Sequence, residues 1–194
     1  MRSITRPLLA GVLALSLTSL PAIANEFGPQ LEELAKTKIA AIASAPEIVA
    51  AVRAQNTETS AFDGAKIDAL DKQWRAEVGA SSQPMISEKL GNPASKMLVS
   101  KRENSAGLFT EIFVTDMKGL NVAQSDVTSD YWQGDEAKFT ETFGKGAGAI
   151  HIGEIEQDES TQTYQSQVSM TVVDPDSGSP IGAITVGVNV EMLQ

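Results

Sequence analysis

The chain has 194 residues, with 15 Lys and Arg against 25 Asp and Glu, a formal net charge of −10, one His and no Cys. That charge repels phosphate backbones and argues against nucleic acid as a partner, while the lack of Cys excludes disulfides, thiolate metal sites and Cys nucleophiles. The length suits one hydrophobic core and falls short of what two domains normally need.

Residues 1–24 have the pattern of a secretory signal peptide. Arg2 and Arg6 form a positive start, Leu8 to Leu20 an apolar run, and Ala22-Ile23-Ala24 a small-x-small cleavage site. Cleavage after Ala24 predicts a periplasmic protein of 170 residues, read as one domain over 25–194, helical over 26–105 and strand-rich over 108–190. No later stretch approaches the roughly 20 apolar residues of a membrane span.

Leu31, Leu34, Ala35, Lys38, Ile39 and Ile42 recur at three- and four-residue spacing and predict a long amphipathic helix. Ala45-Pro46 interrupts it, and Pro46 opens a second helix carrying Ile48, Val49 and Val52. Gln55 to Ser60 is polar and reads as a loop. Asp63 caps a third helix with a stripe of Ile67, Leu70, Trp74 and Val78, closed by Gly79, in which Trp74 reads as core. A short helix from Pro84 to Leu90 ends at Gly91, and Asn92-Pro93 caps and starts the next. Lys101, Arg102 and Glu103 follow as a solvated charge cluster, with Arg102 held in reserve as a ligand-pairing group.

The most informative stretch is Leu108 to Phe143. Phe109, Ile112, Phe113 and Val114 suit a buried strand, Asp116-Met117-Lys118-Gly119 has the form of a type I turn, and Leu120 and Val122 alternate with Asn121 and Ala123. This predicts a hairpin whose second strand has one face in the core and one wet or functional. Asp126, Asp130, Tyr131, Trp132, Asp135 and Glu136 then bracket an aromatic pair with carboxylates ahead of a short helix, where Asp135 serves as a cap. Gly144 to Gly148 lacks phosphate-loop spacing and reads as a turn. Ile150 to Ile155, Thr161 to Val173 and Ile181 to Val190 read as three more strands, the last two joined by Asp174-Pro175-Asp176-Ser177-Gly178. Short connections predict a five-stranded antiparallel, meander-like sheet of α+β class with helices on one side.

No Ser-His-Asp arrangement has a supporting motif, and the single His151 lacks a visible partner, so no catalytic residue, cofactor or metal site is read. The acids near Tyr131 lack the spacing of an EF-hand. The order of parts, with the wording of residues 113–139 and of residues 166–190, resembles the periplasmic Cache sensor domains, also called PDC or PAS-like extracellular domains. The resemblance covers nearly the whole chain after residue 24. It implies a PAS-like five-stranded sheet behind a long N-terminal helix, a small-molecule pocket walled in part by Tyr131 and Trp132, and pairing through the N-terminal helix, where Ala35, Ala40, Ala41 and Ala43 permit close approach. Asp126 and Asp130 complete the expected ligand site, with Arg102 in reserve. Since no output module follows the last strand, the expectation is a stand-alone binder that works with a separate membrane receptor or kinase, or buffers a ligand. The competing readings are a structural or interaction protein without a ligand, and a hydrolase using Asp126 or Asp130 as general base.

Overall fold

The computed structural model describes residues 25–157 and 162–193. The expected signal peptide, residues 1–24, lies outside the described residues. The first helix runs as α1 (Gly28–Leu34), a π-helical turn (Ala35–Ile39) and α2 (Ala40–Ala43). Its stripe is Leu31, Leu34, Ala35, Ile39, Ile42 and Ala43, all buried, while Lys38 is exposed. The wider π turn keeps Ile39 and Ala43 on the face begun by Leu31 and Ala35. Two of the four alanines expected to serve pairing, Ala35 and Ala43, are therefore spent on the chain's own core.

Helix α3 (Pro46–Thr59) opens on Pro46 as expected, but it continues through the segment read as a loop. Ile48, Val52, Gln55 and Thr59 follow one another at three- and four-residue steps on a buried face, so helical periodicity outlasts the apolar residues. Asp63 caps α4 (Gly64–Glu77) by accepting from the Lys66 amide at 2.8 Å. Trp74 is fully buried, whereas Val78, expected in its stripe, lies past the helix end and is exposed. Next come α5 (Pro84–Gly91) and α6 (Pro93–Glu103), and the Asn92 side chain caps α6 through the Ser95 amide at 2.8 Å.

Strands β1 (Phe109–Asp116) and β2 (Asn121–Gln124) form the expected hairpin. Gly119 sits at φ +79°, and a Cβ there would lie 2.5 Å from the Gly134 Cα, so only glycine lets the turn and the later chain meet. After α7 (Ala137–Thr140) and a 3₁₀ turn (Phe143–Lys145) come β3 (Ile150–Gln157), β4 (Tyr164–Val173) and β5 (Pro180–Asn189), close to their expected spans. Glu136 precedes α7 at the cap position and makes no side-chain cap bond, so the capping expected of Asp135 is not made.

The sheet is antiparallel throughout with order β2-β1-β5-β4-β3. It is α+β, as expected, but not a simple meander. β5 inserts beside β1, which leaves β2 and β3 at opposite edges, and the connection between them must cross a face. That connection carries α7, so helices cover both faces rather than one. On the first face Ile112, Val114, Val168, Val172, Ile184, Val186 and Val188 pack against α1, α2, α3 and α6 in the main core. Phe113, Thr185, Ser169 and Thr171 alternate onto the second face. Here the Lys138 ammonium of α7 lies 5.5 Å from the Phe113 ring centroid, and Thr171 donates to the Gly146 carbonyl at 2.8 Å. Nor does β2 have a wet face, since all four of its residues are buried. Residues 131–133 return along its outer side, with the Asn121 amide donating to the Tyr131 carbonyl at 2.9 Å and the Gln133 amide to that of Gly119 at 2.8 Å. No helix among the described residues is long and apolar enough to cross a membrane.

Helix α3 is also tied to the β4–β5 turn, because the Arg53 guanidinium grips both Asp174 oxygens and reaches Asp176 at 2.6 Å. Arg53 holds the Asp174 carboxyl down at about 2, from an ordinary 3.8. The folded chain thus releases this proton more readily than the unfolded one, so the pair's stabilisation is complete above about pH 4 and fades as pH falls toward 2. Between those limits the melting temperature should drop more steeply for the native sequence than for Arg53→Met, and the two curves should converge near pH 2. Thermal melts followed by circular dichroism check this.

Candidate ligand-binding site

Between α3, α4 and α5 lies a cleft of about 350 Å³, lined by Gln55, Thr59, Phe62, Leu70, Met85, Lys89 and Tyr131 among others. A second cleft of about 390 Å³ adjoins it between α3 and the α5–α6 corner and shares Gln55, Glu58, Glu88 and Lys89 with it. These volumes fall in the range of small-molecule sites. The first cleft follows the seam between the main core and a smaller one made of Trp74, Ile86, Leu120 and Tyr131.

Its inner wall is a buried polar network centred on Asp116, which is fully buried at the start of the β1–β2 turn. One carboxylate oxygen accepts from the Lys118 amide at 2.8 Å and the Leu120 amide at 3.0 Å, fixing the turn. The other accepts from Gln55 Nε2 at 3.0 Å and Thr59 Oγ1 at 2.7 Å, fastening α3 to that turn. Four donors on one carboxylate leave neither oxygen unpaired, and these bonds offset the cost of burying it. Gln55 Nε2 also lies within reach of the Leu120 and Asn121 carbonyls, at 3.2 Å each, so the carboxamide oxygen is turned outward, where it accepts from Lys89 Nζ at 2.8 Å. The Lys89 ammonium is 5.8 Å from the Tyr131 ring centroid. Burial lowers the Lys89 pKa below its ordinary 10.5, against the opposing pull of Glu88, Glu58 and Asp116. Burial, with Asp116 adding to it, raises that of Tyr131 well above 10, which keeps the phenol protonated.

Helix α4 holds the other wall in place through two carboxylates. Asp71 accepts from the amides of Tyr131 at 2.9 Å and Trp132 at 3.0 Å, and it pairs with Arg75 at 2.6 Å. Burial alone would raise the Asp71 pKa, but Arg75 and the two amides outweigh it and hold the group below its usual value. Glu77 accepts from the Met85 amide at 2.8 Å and the Ile86 amide at 3.1 Å, satisfying N–H groups that the start of α5 leaves open. Between them Trp74 stacks on Tyr131 at 5.4 Å and donates to the Thr128 carbonyl at 2.9 Å.

The five residues singled out in the sequence are divided among three places. Tyr131 lines the first cleft. Its neighbour Trp132 points away and lines a separate hollow with Asp71, Arg75 and Asp130, its indole donating to the Lys118 carbonyl at 2.9 Å. The Asp130 carboxylate pairs with Arg75 at 2.9 Å. Asp126 and Arg102 pair with each other at 2.5 Å, and neither lines these clefts. The groups that sequence reading missed are Gln55, Thr59, Asp116 and Lys89. For the first two the signal was available, because they extend the Ile48–Val52 spacing of α3. For Asp116, read only as a turn former, and for Lys89, no local pattern marks the pairing.

No protein-family model matches the sequence, and no curated protein matches it. Among solved structures, the chain is similar to the ligand-binding domain of the Campylobacter jejuni chemoreceptor Tlp3, solved with 4-methylisoleucine, at 14% identity and a TM-score of 0.41 over 84% of this chain and 64% of that one. It is similar to the sensor domain of the V. cholerae histidine kinase DctB at 14% identity and a TM-score of 0.38, over 85% and 58%. The E. coli DcuS sensor domain gives 16% and 0.39, over 65% and 92%. The chain thus spans less than two thirds of the first two domains and most of the third. These are a chemoreceptor's ligand-binding domain and two sensor domains, and what they bind is a property of those proteins.

Because Asp116 satisfies four donors, its removal leaves the Lys118 and Leu120 amides without the acceptor that fixes the turn and leaves Gln55 Nε2 and Thr59 Oγ1 only their longer bonds to carbonyls. Asp116→Ala should lower unfolding stability by about 3–5 kcal/mol, against less than about 1 kcal/mol for the exposed pair member in Asp126→Ala. Urea denaturation of the two variants checks the ranking.

Proposed function

We propose that this chain is a periplasmic, sensor-type binding domain that takes a small molecule in the cleft between α3, α4 and α5 and works with a separate membrane receptor or kinase, or buffers the ligand. The observation that carries the proposal is the buried Asp116–Gln55–Lys89 network opening onto a cleft of about 350 Å³ with Tyr131 in its wall. A structural polar network needs no opening. Here apolar side chains line one side of the space and a half-buried ammonium the other, the mixture of apolar lining and a few placed polar groups that small-molecule sites use. The Cache resemblance supports the same class of function, and the secretory pattern of residues 1–24 supports the compartment.

Of the five residues expected at the site, Tyr131 keeps its role in this proposal. Trp132 and Asp130 support it from behind, through α4. The carboxylates that a hydrolase would use as general bases, Asp126 and Asp130, are each spent on an arginine, so the binding reading is favoured over that one.

A thermal-shift screen of small carboxylates, amino acids, amines and purines against the purified protein tests the proposal. A true ligand at about 100 times its Kd should raise the melting temperature by about 5–10 °C. Leu70→Trp, which fills the first cleft, should abolish that shift, and Trp132→Ala should leave most of it. A screen without hits, or hits indifferent to Leu70→Trp, overturns the assignment of this cleft.

A further inference from the structure

The charge arrangement of the cleft narrows what it can hold, and resting on the small-molecule reading above, we propose that the ligand is a monocarboxylate with an apolar body, its carboxylate bound by Lys89. Among the described residues Lys89 makes no ion pair. Its one hydrogen bond goes to a neutral acceptor, the Gln55 carboxamide oxygen at 2.8 Å. An ammonium has three N–H donors, so two are uncommitted. Gln55 cannot supply more, because its amide nitrogen is held by Asp116 and two carbonyls. The Tyr131 ring face compensates part of the charge. A half-buried cation with two open donors at the wall shared by both clefts is a seat for an anionic oxygen.

The remaining lining sets the rest of the molecule. Phe62, Leu70, Met85 and the Tyr131 ring give the first cleft an apolar side suited to an aryl or branched alkyl group. Glu58 and Glu88 stand at the mouth, and neither makes an ion pair among the described residues; Lys66, 5.7 Å from the Phe62 ring centroid, is the other cation of the lining. Two free acids against one exposed base, with the Asp116 carboxylate behind Gln55, oppose a second negative charge. The site therefore selects monoanions over dianions, and acids over their amides.

Calorimetric titration of the purified protein with phenylacetate, phenylacetamide, benzylamine and phthalate tests this. Phenylacetate should bind at least tenfold more tightly than each of the other three. Lys89→Met should weaken phenylacetate by about tenfold to a hundredfold, the value of a charge-assisted hydrogen bond, and leave phenylacetamide within about twofold. Lys89→Arg should restore part of the loss. If Lys89→Met does not fold, as judged by its melt, the acid-to-amide ratio of the native sequence decides alone. Phenylacetamide or benzylamine binding as tightly as the acid, with Leu70→Trp abolishing it, overturns the carboxylate proposal while the cleft stands as a binding site. Absence of binding by all four also overturns the carboxylate proposal, and the cleft reading falls with it only when the broader screen is empty as well.

Discussion

The structure depends on one buried carboxylate. Asp116 ends β1 where the hairpin turns, and with no exposure to water its charge is tolerable only because four donors converge on it. Two come from the turn itself and two from α3, so a single group closes the hairpin and docks a helix on it. Each task accounts for part of the geometry, but neither alone supplies enough donors. A hairpin turn using only its own amides would leave one carboxylate oxygen unmet, at a cost of the order of a few kcal/mol. The helix must therefore be present, and in this register, for the turn to be stable with an acid at that position.

The consequences run outward from there. Gln55 is oriented by Asp116, Lys89 by Gln55, and α5 brings Lys89 to that position because Glu77 of α4 captures the first amides of α5. The same helix α4 uses Asp71 to capture the amides of Tyr131 and Trp132, and Trp74 to support the Tyr131 ring. Two acids six residues apart on one helix thus hold two walls of the cleft. The cleft exists because the small core around Trp74 and the main core do not merge. A polar network occupies the seam between them, and buried polar groups that are already satisfied do not draw apolar side chains in to fill the space.

Much of this was legible in the sequence, and the losses have physical causes. The helix starts at Pro46, Asp63 and Asn92 were readable because capping and proline chemistry are local. So were the spans of the strands, since alternation is local too. Gln55 to Ser60 read as a loop because polarity was taken for exposure, whereas Gln55 and Thr59 are buried polar residues whose partner, Asp116, is 57 to 61 residues away. The one-sided helix layer failed for a topological reason: inserting β5 beside β1 sends the β2–β3 connection across the second face, and strand order is not a local property. The Tyr131–Trp132 pair was recognised as a unit, yet adjacent residues of an extended segment point to opposite sides. One therefore enters the cleft while the other packs behind it. Lys89 looked like any lysine of an amphipathic helix, because what distinguishes it is the acceptor it meets.

The network also fixes how occupancy of the cleft can be felt elsewhere. A ligand changes a protein's conformation only through contacts that differ between two states. One polar link from the cleft to the sheet is Lys89 to Gln55 to Asp116, and it ends on the β1–β2 turn at the end of a strand that pairs with both β2 and β5. A ligand that uses the open donors of Lys89 and leaves its bond to Gln55 intact stabilises the existing arrangement and reports by rigidity. One that draws Lys89 away leaves the Gln55 oxygen without its donor but does not release Asp116, since Gln55 Nε2 and Thr59 remain bound to it. The hairpin is therefore buffered against occupancy by the redundancy of its donors, while α5, fastened at its start by Glu77 and through the Lys89 carbonyl to Ser95, is the helix that carries the cleft's ammonium.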